Sequence, residues 1–523
     1  MRKTFLSASL AAASLFAGLT ACNNDKLTSV NANPNAPETV QSSSLFTNAT
    51  VGVMSTVRGS SFEHGLSGLW DQHYAEIQYA EADLNLPRNS TTEALWTTFY
   101  AGTITGQTMG SLQDFNQILA QSGNQTMLAA PALVMRAFLV ETMTDLWGDI
   151  PFSDAGKGRD NLTPKYDTQQ VVYDSIFASL TKAASSLAAV PAARVDLDPA
   201  YGQADPVYGQ LGLSNSEQNL QWIKLANSLH ARAAMRLSKV DAAKSKAELT
   251  KALAGPVFTD NSDNAFISWP GGVVANPLCQ NWADSPNCGG TRDDQRISER
   301  FIDTLKVTAD PRLAKYALPT GASQKTKGKT ACDITYRGFP NGHSSADVPN
   351  PCDPAGKNFS FSDYSRPTLS IRMQDSPSYI MTYSELLFIK AEAAERGFIA
   401  GSAAQFYTDA ITASMEQWGV SAADIAAYLA QPSVAYVPGT QGLKQIAYEK
   451  WVSLFNLETE AYAEYRRLDY PVLKPGPEAV TNTIPTRLPY PDIENSLNGT
   501  NLAAAKGTQG NTDITGKVWW DKP

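Results

Sequence analysis

YSELLFIKAEAAERGFIAGSAAQFYTDAITASM, residues 383–415, carries the pattern that decides the fold. Tyr383 to Glu395 reads as one helix and Ala403 to Met415 as a second, with Gly397 and Gly401 bracketing the turn. Ala391 is the small residue of the first helix. Ala403, Tyr407 and Ala410 then supply small, aromatic and small positions on the second. A small residue lets a partner helix approach while large neighbours fill the groove beside it. The segment is a helical hairpin built to stack on others of its kind.

Outward from it the same grammar recurs. Trp222-Ile-Lys-Leu225-Ala226-Asn-Ser-Leu229 matches the opening of a tetratricopeptide helix, with Ala226 for Gly and Leu229 for Tyr, and Asp241 to Leu253 follows as its partner. Leu128 to Trp147 places Leu133, Ala137, Val140, Thr144 and Trp147 on one face and stops at Gly148-Asp-Ile-Pro151. Gln169 to Leu187 is amphipathic, and Leu443 to Arg467 reads as one last long helix carrying Trp451, Leu454, Phe455 and Tyr462. Nearer the start, Trp70, Tyr74, Ile77 and Gln78, and then Trp96, Phe99, Tyr100 and Ile104, also fall at helical spacing. The expected class is mostly α, a scaffold of tetratricopeptide-like helical pairs. Between the pairs lie irregular stretches at 190–218, 256–295, 318–370 and 471–523, where only short strands and turns are expected.

The chain opens with Arg2-Lys3, an uncharged apolar run from Phe5 to Leu19, and then Leu19-Thr-Ala-Cys22. That is a cleaved export signal, too short and too rich in Ala and Ser for a good membrane span. Leu-x-Ala-Cys resembles the bacterial lipobox, which makes Cys22 the lipidated N-terminus of the mature chain. The expected organisation is a signal peptide at 1–21, a lipidated flexible tether at 22–40 and a single domain over 41–523. The remaining cysteines, Cys279, Cys288, Cys332 and Cys352, are an even set in an exported chain. Of three connectivities the local one, Cys279–Cys288 with Cys332–Cys352, is favoured, each bridge adding roughly 2.5–3.5 kcal/mol by the chain-entropy estimate. A net charge of −9 without any basic cluster argues against nucleic acid or anionic lipid as partners.

Catalytic signatures are hard to find. Four histidines are present, His64 and His73 lacking the i, i+4 geometry of a helical zinc pair. No nucleophile elbow, phosphate loop or dinucleotide fingerprint occurs, and neither cofactor nor metal is expected. Asp260-Asn-Ser-Asp263-Asn264 reads as an Asx-rich turn ahead of a calcium loop, whose terminal Glu is missing. Glu76, Glu81 and Asp83 are the first carboxylates to consider for a glycosidase, which needs only two. Binding is the better class. Sugar rings stack their C–H faces on Trp and Tyr while flanking polar groups hold the hydroxyls. The candidates are Trp269, before Pro270-Gly-Gly272, and Trp282 within the Cys279–Cys288 loop, flanked by Asn281 and Asp284, with Arg292 close behind. Trp70, Tyr74, Tyr79 and Trp96 are alternatives at helical spacing, where core packing competes with function.

These features together resemble the SusD/RagB family of surface lipoproteins. The marks are Asn33-Pro-Asn-Ala-Pro37, Thr144-Asp-Leu-Trp-Gly-Asp-Ile-Pro-Phe152, Trp222 to Leu229 and Ile297-Ser-Glu-Arg-Phe301 with Asp310-Pro-Arg-Leu313. Met381 to Gly397, Glu449-Lys-Trp-Val-Ser-Leu-Phe455, Tyr465-Arg-Arg-Leu-Asp-Tyr-Pro471 and Ile484 to Glu494 continue them in order over nearly the whole mature chain. The resemblance implies a SusD-like α-α superhelix and a non-catalytic lipoprotein of the cell outer membrane, facing outward. It implies capture of oligosaccharide, with oligopeptide as the alternative, for a SusC-like TonB-dependent barrel. Its shared motifs are scaffold, so they assign no ligand residue here.

Overall fold

The computed structural model describes residues 42–104, 107–108, 110–122, 126–157, 160–196, 202, 204–291, 293–320, 335–343, 348 and 363–523. Cys22, Arg292, Cys332 and Cys352 lie outside them. The chain enters along helix α1 (Ser42–Val57), followed by a π-helical segment, Ser60–Ser67, and one turn at Gly68–Trp70. Then come β1 (Tyr74–Glu76), α2 (Asn89–Ala101), the β2–β3 ribbon (Thr103–Ile104 with Gln107–Thr108) and α3 (Leu112–Gln121). Helix α4 (Thr126–Trp147) leads through β4 (Ile150–Pro151) and β5 (Tyr166–Asp167) to α5 (Gln169–Ala188).

Helices α6 (Asn215–Arg236) and α7 (Ala242–Leu253) form the next pair, and β6 (Ala265–Ile267), β7 (Gln295–Ile297) and α8 (Glu299–Val307) lie in the irregular part. β8 (Ser378–Met381) returns to pair with β6 and leads into α9 (Tyr383–Glu395) and α10 (Ala403–Gln417). The last helices are α11 (Ala422–Leu429), α12 (Thr440–Ser453), α13 (Glu458–Leu468) and α14 (Gly499–Gln509). Helices α4 and α5, α6 and α7, and α9 and α10 pack as hairpins, with α6 also against α5 and α9. The protein is a mostly α stack of helical pairs with few short strands.

Met127–Trp147 is the one segment among the described residues long and apolar enough to cross a membrane, and 83% of its most apolar stretch is buried in the protein. It is the central helix of the core. The pairs are also joined by charge. Arg232 and Arg236 of α6 reach Glu385 of α9 and Glu460 and Glu464 of α13 at 2.5–2.6 Å, while Arg467 of α13 reaches Glu392 of α9 at 2.5 Å. All are buried. Removing one partner of such a group would strand its neighbours, a cost of about 3–5 kcal/mol for a buried pair.

Three expectations are corrected. The run Trp70–Gln78 is not a helix, because Gln72 takes φ 59° and the next residues form β1, paired Tyr74 to Ile297 and Glu76 to Gln295. A short apolar run buried on every side has no periodicity to read. Leu443–Arg467 is two helices, broken at 454–457 where Asn456 adopts φ 69°. The tail 471–523 is not wholly irregular: it holds α14 and a buried Trp520 whose Nε1 donates to Asp145 at 2.7 Å.

Candidate functional site

The antiparallel pair β1–β7 sets Glu76 opposite Gln295, and Ile77 N donating to Asp294 O at 2.7 Å extends it. Beyond Glu76 the chain must turn out of the sheet, and it does so through Tyr79 and Asn85, both at positive φ. Glu81 N donates to Tyr79 O and Leu86 N to Glu81 O, and Trp70 Nε1 pins the turn from below by donating to Ala82 O at 3.1 Å. The result is a compact loop from 79 to 88 whose aromatic stands in water. Tyr79 is 56% exposed.

This loop is one wall of a cleft of about 310 Å³. Ser60, Ser61 and Gly65 of the π-helical segment form another, and Asn281 closes the third. Arg88 lies over the Tyr79 ring at 5.7 Å and binds Glu81 at 2.8 Å. Asn281 Nδ2 donates to Gln295 Oε1 at 3.1 Å, and Gln295 Nε2 donates to Glu76 Oε1 at 3.4 Å, giving a row of amide and carboxyl groups across the floor. Burial, with the charge of Asp83 next, pushes the Glu76 carboxyl well above the usual range, while the Arg88 hydrogen bond holds Glu81 below it. Burial likewise pushes Asp83 up to about 7, against hydrogen bonds from Asn341 and Glu76 N. The cleft offers one aromatic face, one guanidinium and a line of amide and carboxyl groups, with Glu81 and Asp294 beside them. That is the equipment for binding a polyhydroxylated ring.

The aromatics proposed from the sequence sit elsewhere. Trp282 is completely buried, its Nε1 donating to Gln295 O at 3.3 Å and its ring 5.4 Å from His64. Trp269 is buried against Ser378, to which it donates at 2.9 Å. Tyr74 stacks on His64 at 4.0 Å, Trp96 packs edge-on against Trp147 at 5.1 Å, and Trp70 tilts on Tyr462 at 5.4 Å. None of these five rings turns a face to solvent. Asp284 is half-exposed but paired with Arg366 and Arg372 at 2.5 and 2.6 Å, so it fastens its loop. Cys279 and Cys288 are joined as a disulfide with Cα atoms 5.6 Å apart. Of the loop residues proposed from the sequence and described by the structure, Asn281 alone lines the cleft. Asp260 caps a turn at Ser262 N, and Asp263 pairs with Lys224 at 2.7 Å, an Asx-rich turn.

Arg88 and Gln295 went unnoticed in the sequence. The turn residues Asn85 and Pro87 around them were the usable signal, since they mark Tyr79 as a loop aromatic. A second, larger cleft of about 600 Å³ runs between Gln72, Arg300, Asp303, Val307, His343 and Lys474. Its ring, Tyr448, is half-buried, so it offers a sugar less aromatic face.

Comparison with known proteins agrees with the architecture. The profile of the SusD-like family described as starch-binding and associating with the outer membrane matches residues 34–491. Among solved structures, a chitin-binding protein is 27% identical, with TM-score 0.74, covering 92% of this chain and 100% of its own. A SusD homolog from Bacteroides uniformis (24% identity, TM-score 0.75) covers 92% of this chain and 99% of its own. A chitin-binding SusD homolog from Flavobacterium johnsoniae (23%, TM-score 0.74) covers 91% and 98%. At these last two identities the likeness speaks for the fold alone. No curated protein matches the chain.

Proposed function

We propose, from the premise that this chain belongs to the SusD-like family of starch-binding proteins associating with the outer membrane, that it captures oligosaccharides in the Tyr79 cleft. Captured ligand passes to a SusC-like TonB-dependent barrel, and the chain is held at the membrane by lipid on Cys22. The observation that carries the reading is the exposed Tyr79 ring beside Arg88 and the Asn281–Gln295–Glu76 row. A pyranose laid on Tyr79 buries its C–H face while its hydroxyls meet the floor. The 27%-identical relative named for chitin binding adds N-acetylated glucosamine oligomers to starch as ligands to test first.

The raised Glu76 beside the lowered Glu81 supports a second reading, a surface glycosidase, because a split pair of carboxyls is what such an enzyme requires. Oligopeptide capture is the other alternative. Calorimetry with malto-oligosaccharides, chito-oligosaccharides and a peptide mixture distinguishes all three. Removing the Tyr79 ring by Tyr79→Ala costs roughly 1–3 kcal/mol, about ten- to a hundredfold in affinity, with the melting temperature unchanged. Heat from peptide alone moves the assignment to peptides, and reducing ends accumulating during the titration mark an enzyme. Glycan binding that survives Tyr79→Ala intact sinks this cleft as the site.

A further inference from the structure

Asp71 and His73 flank Gln72, which takes φ 59°, and both side chains are buried. Glu458, the first residue of α13, meets them there from the other side of Asn456 and Leu457. All three side chains are completely inaccessible to solvent. One oxygen of each carboxylate is already fixed by the backbone: Asp71 Oδ1 accepts from His73 N at 2.9 Å, and Glu458 Oε1 accepts from Asn456 N at 2.6 Å. That leaves one ligand atom per residue, and these atoms all lie within 4.8 Å of one another. His73 Nδ1 touches Glu458 Oε2 and stands 3.8 Å from Asp71 Oδ2. Asp71 Oδ2 is fully buried and aimed into the group with no N–H or hydroxyl donor on it, so that only a proton shared with Glu458 would otherwise meet it.

Among the described residues the surroundings offer little balancing charge. The rings of Phe301, Trp451 and Phe455 stand 4.5–5.6 Å from the imidazole. Arg58, the cation of this neighbourhood, is spent on both oxygens of Glu63 at 2.8 and 2.9 Å. Two ionised carboxylates without a counter-charge in an apolar box would cost several kcal/mol each, so either protons or a cation must enter with them. We propose that Asp71, His73 and Glu458 are a buried site for one divalent transition-metal ion of the zinc class. One imidazole nitrogen and two carboxylate oxygens form a donor set such ions take, and a charge of +2 balances the pair. The backbone N–H groups that hold the outer oxygens play the part of a supporting shell. The role is structural: the ion clasps the segment leading into β1, the cleft floor, to the start of α13.

The test uses the mature protein purified without chelators. Elemental analysis by plasma mass spectrometry is expected to find about one zinc-class ion per chain, as a closed structural site would retain. Stripping it with a chelator should lower the melting temperature, and Zn²⁺ alone should restore it in a saturable titration. Asp71→Asn should lose both the ion and the zinc-dependent rise. Should that variant fail to fold, the strip-and-refill titration on the wild type still decides. Substoichiometric metal with no thermal response to Zn²⁺, Mn²⁺ or Ca²⁺ overturns the site and leaves the carboxyls sharing protons. A zinc response that persists in folded Asp71→Asn also overturns it.

Discussion

Tyr74 and Tyr79 stand five positions apart, yet one ring is fully buried and the other in water. The difference comes from the backbone. Gln72 at positive φ ends the helical turn and starts a strand buried on both faces, and Tyr79 at positive φ then throws the loop outward. Neither residue type advertises such a conformation, so the sequence placed both rings at helical spacing and missed which one faces solvent. His64, packed on Tyr74, makes the matching electrostatic prediction. Burial lowers its pKa to about 3, so the folded state keeps the ring neutral where the unfolded chain would protonate it. A depressed base contributes stability that is complete above the unfolded value of 6.5 and drains as pH falls toward 3. The slope is at most about 1.4 kcal/mol per pH unit. His64→Phe keeps the stacking area and removes the titration, so its urea midpoint should fall less than that of the wild type between pH 7.5 and pH 5. Equal losses would show that His64 takes up its proton without unfolding.

At the scale of elements, helical pairs were legible because each buries one face and leaves the other polar over three or more turns. Tyr383–Glu395 with Ala403–Gln417 is the clearest case, and Ala391, Tyr407 and Ala410 are all buried in its seam. Short strands are expected in the irregular stretches, and β6 lies in one, but β1 is not legible, since β1 and β7 are pinned by each other and not by local pattern. The break in Leu443–Arg467 escaped for a related reason: Asn456 interrupts a run whose apolar residues keep helical spacing on both sides. The loop Cys279–Cys288 shows function and packing sharing one element. Trp282 plugs it to the core while Asn281, one residue earlier, faces the cleft. Opening the bridge should therefore act on both. For Cys288→Ser the chain-entropy estimate for so short a loop gives a loss of about 2.7 kcal/mol, read as a lowered denaturant midpoint. Oligosaccharide affinity should drop as well, because Asn281 loses its fixed position. A normal midpoint in the variant would mean that Trp282 and the Asp284 ion pairs hold the loop without the bridge.

At the scale of the whole molecule, the cleft could not be read in advance because its parts come from three distant places: the π-helical segment, the 76–88 loop and the 281–295 stretch. Only folding brings them together, and what folds them is a scaffold whose family signatures run from residue 34 to residue 491. A helical scaffold that captured a glycan in this cleft, as proposed, would still need something else to move it across a membrane. The reading therefore requires an anchor and a companion. On the proposed reading the anchor would be lipid on Cys22 of Leu19-Thr-Ala-Cys22. The several acyl chains of a bacterial lipoprotein together bind far more strongly than one, which is only marginal. Cys22→Ala should thus leave folded protein in the soluble fraction, with glycan affinity unchanged in calorimetry and uptake of the glycan abolished. From wild-type membranes solubilised in mild detergent, an affinity tag at the C-terminus should bring down a large TonB-dependent barrel. Membrane retention of Cys22→Ala would show a second attachment, and a pull-down without any barrel would detach capture from transport, leaving a free-standing glycan-binding protein.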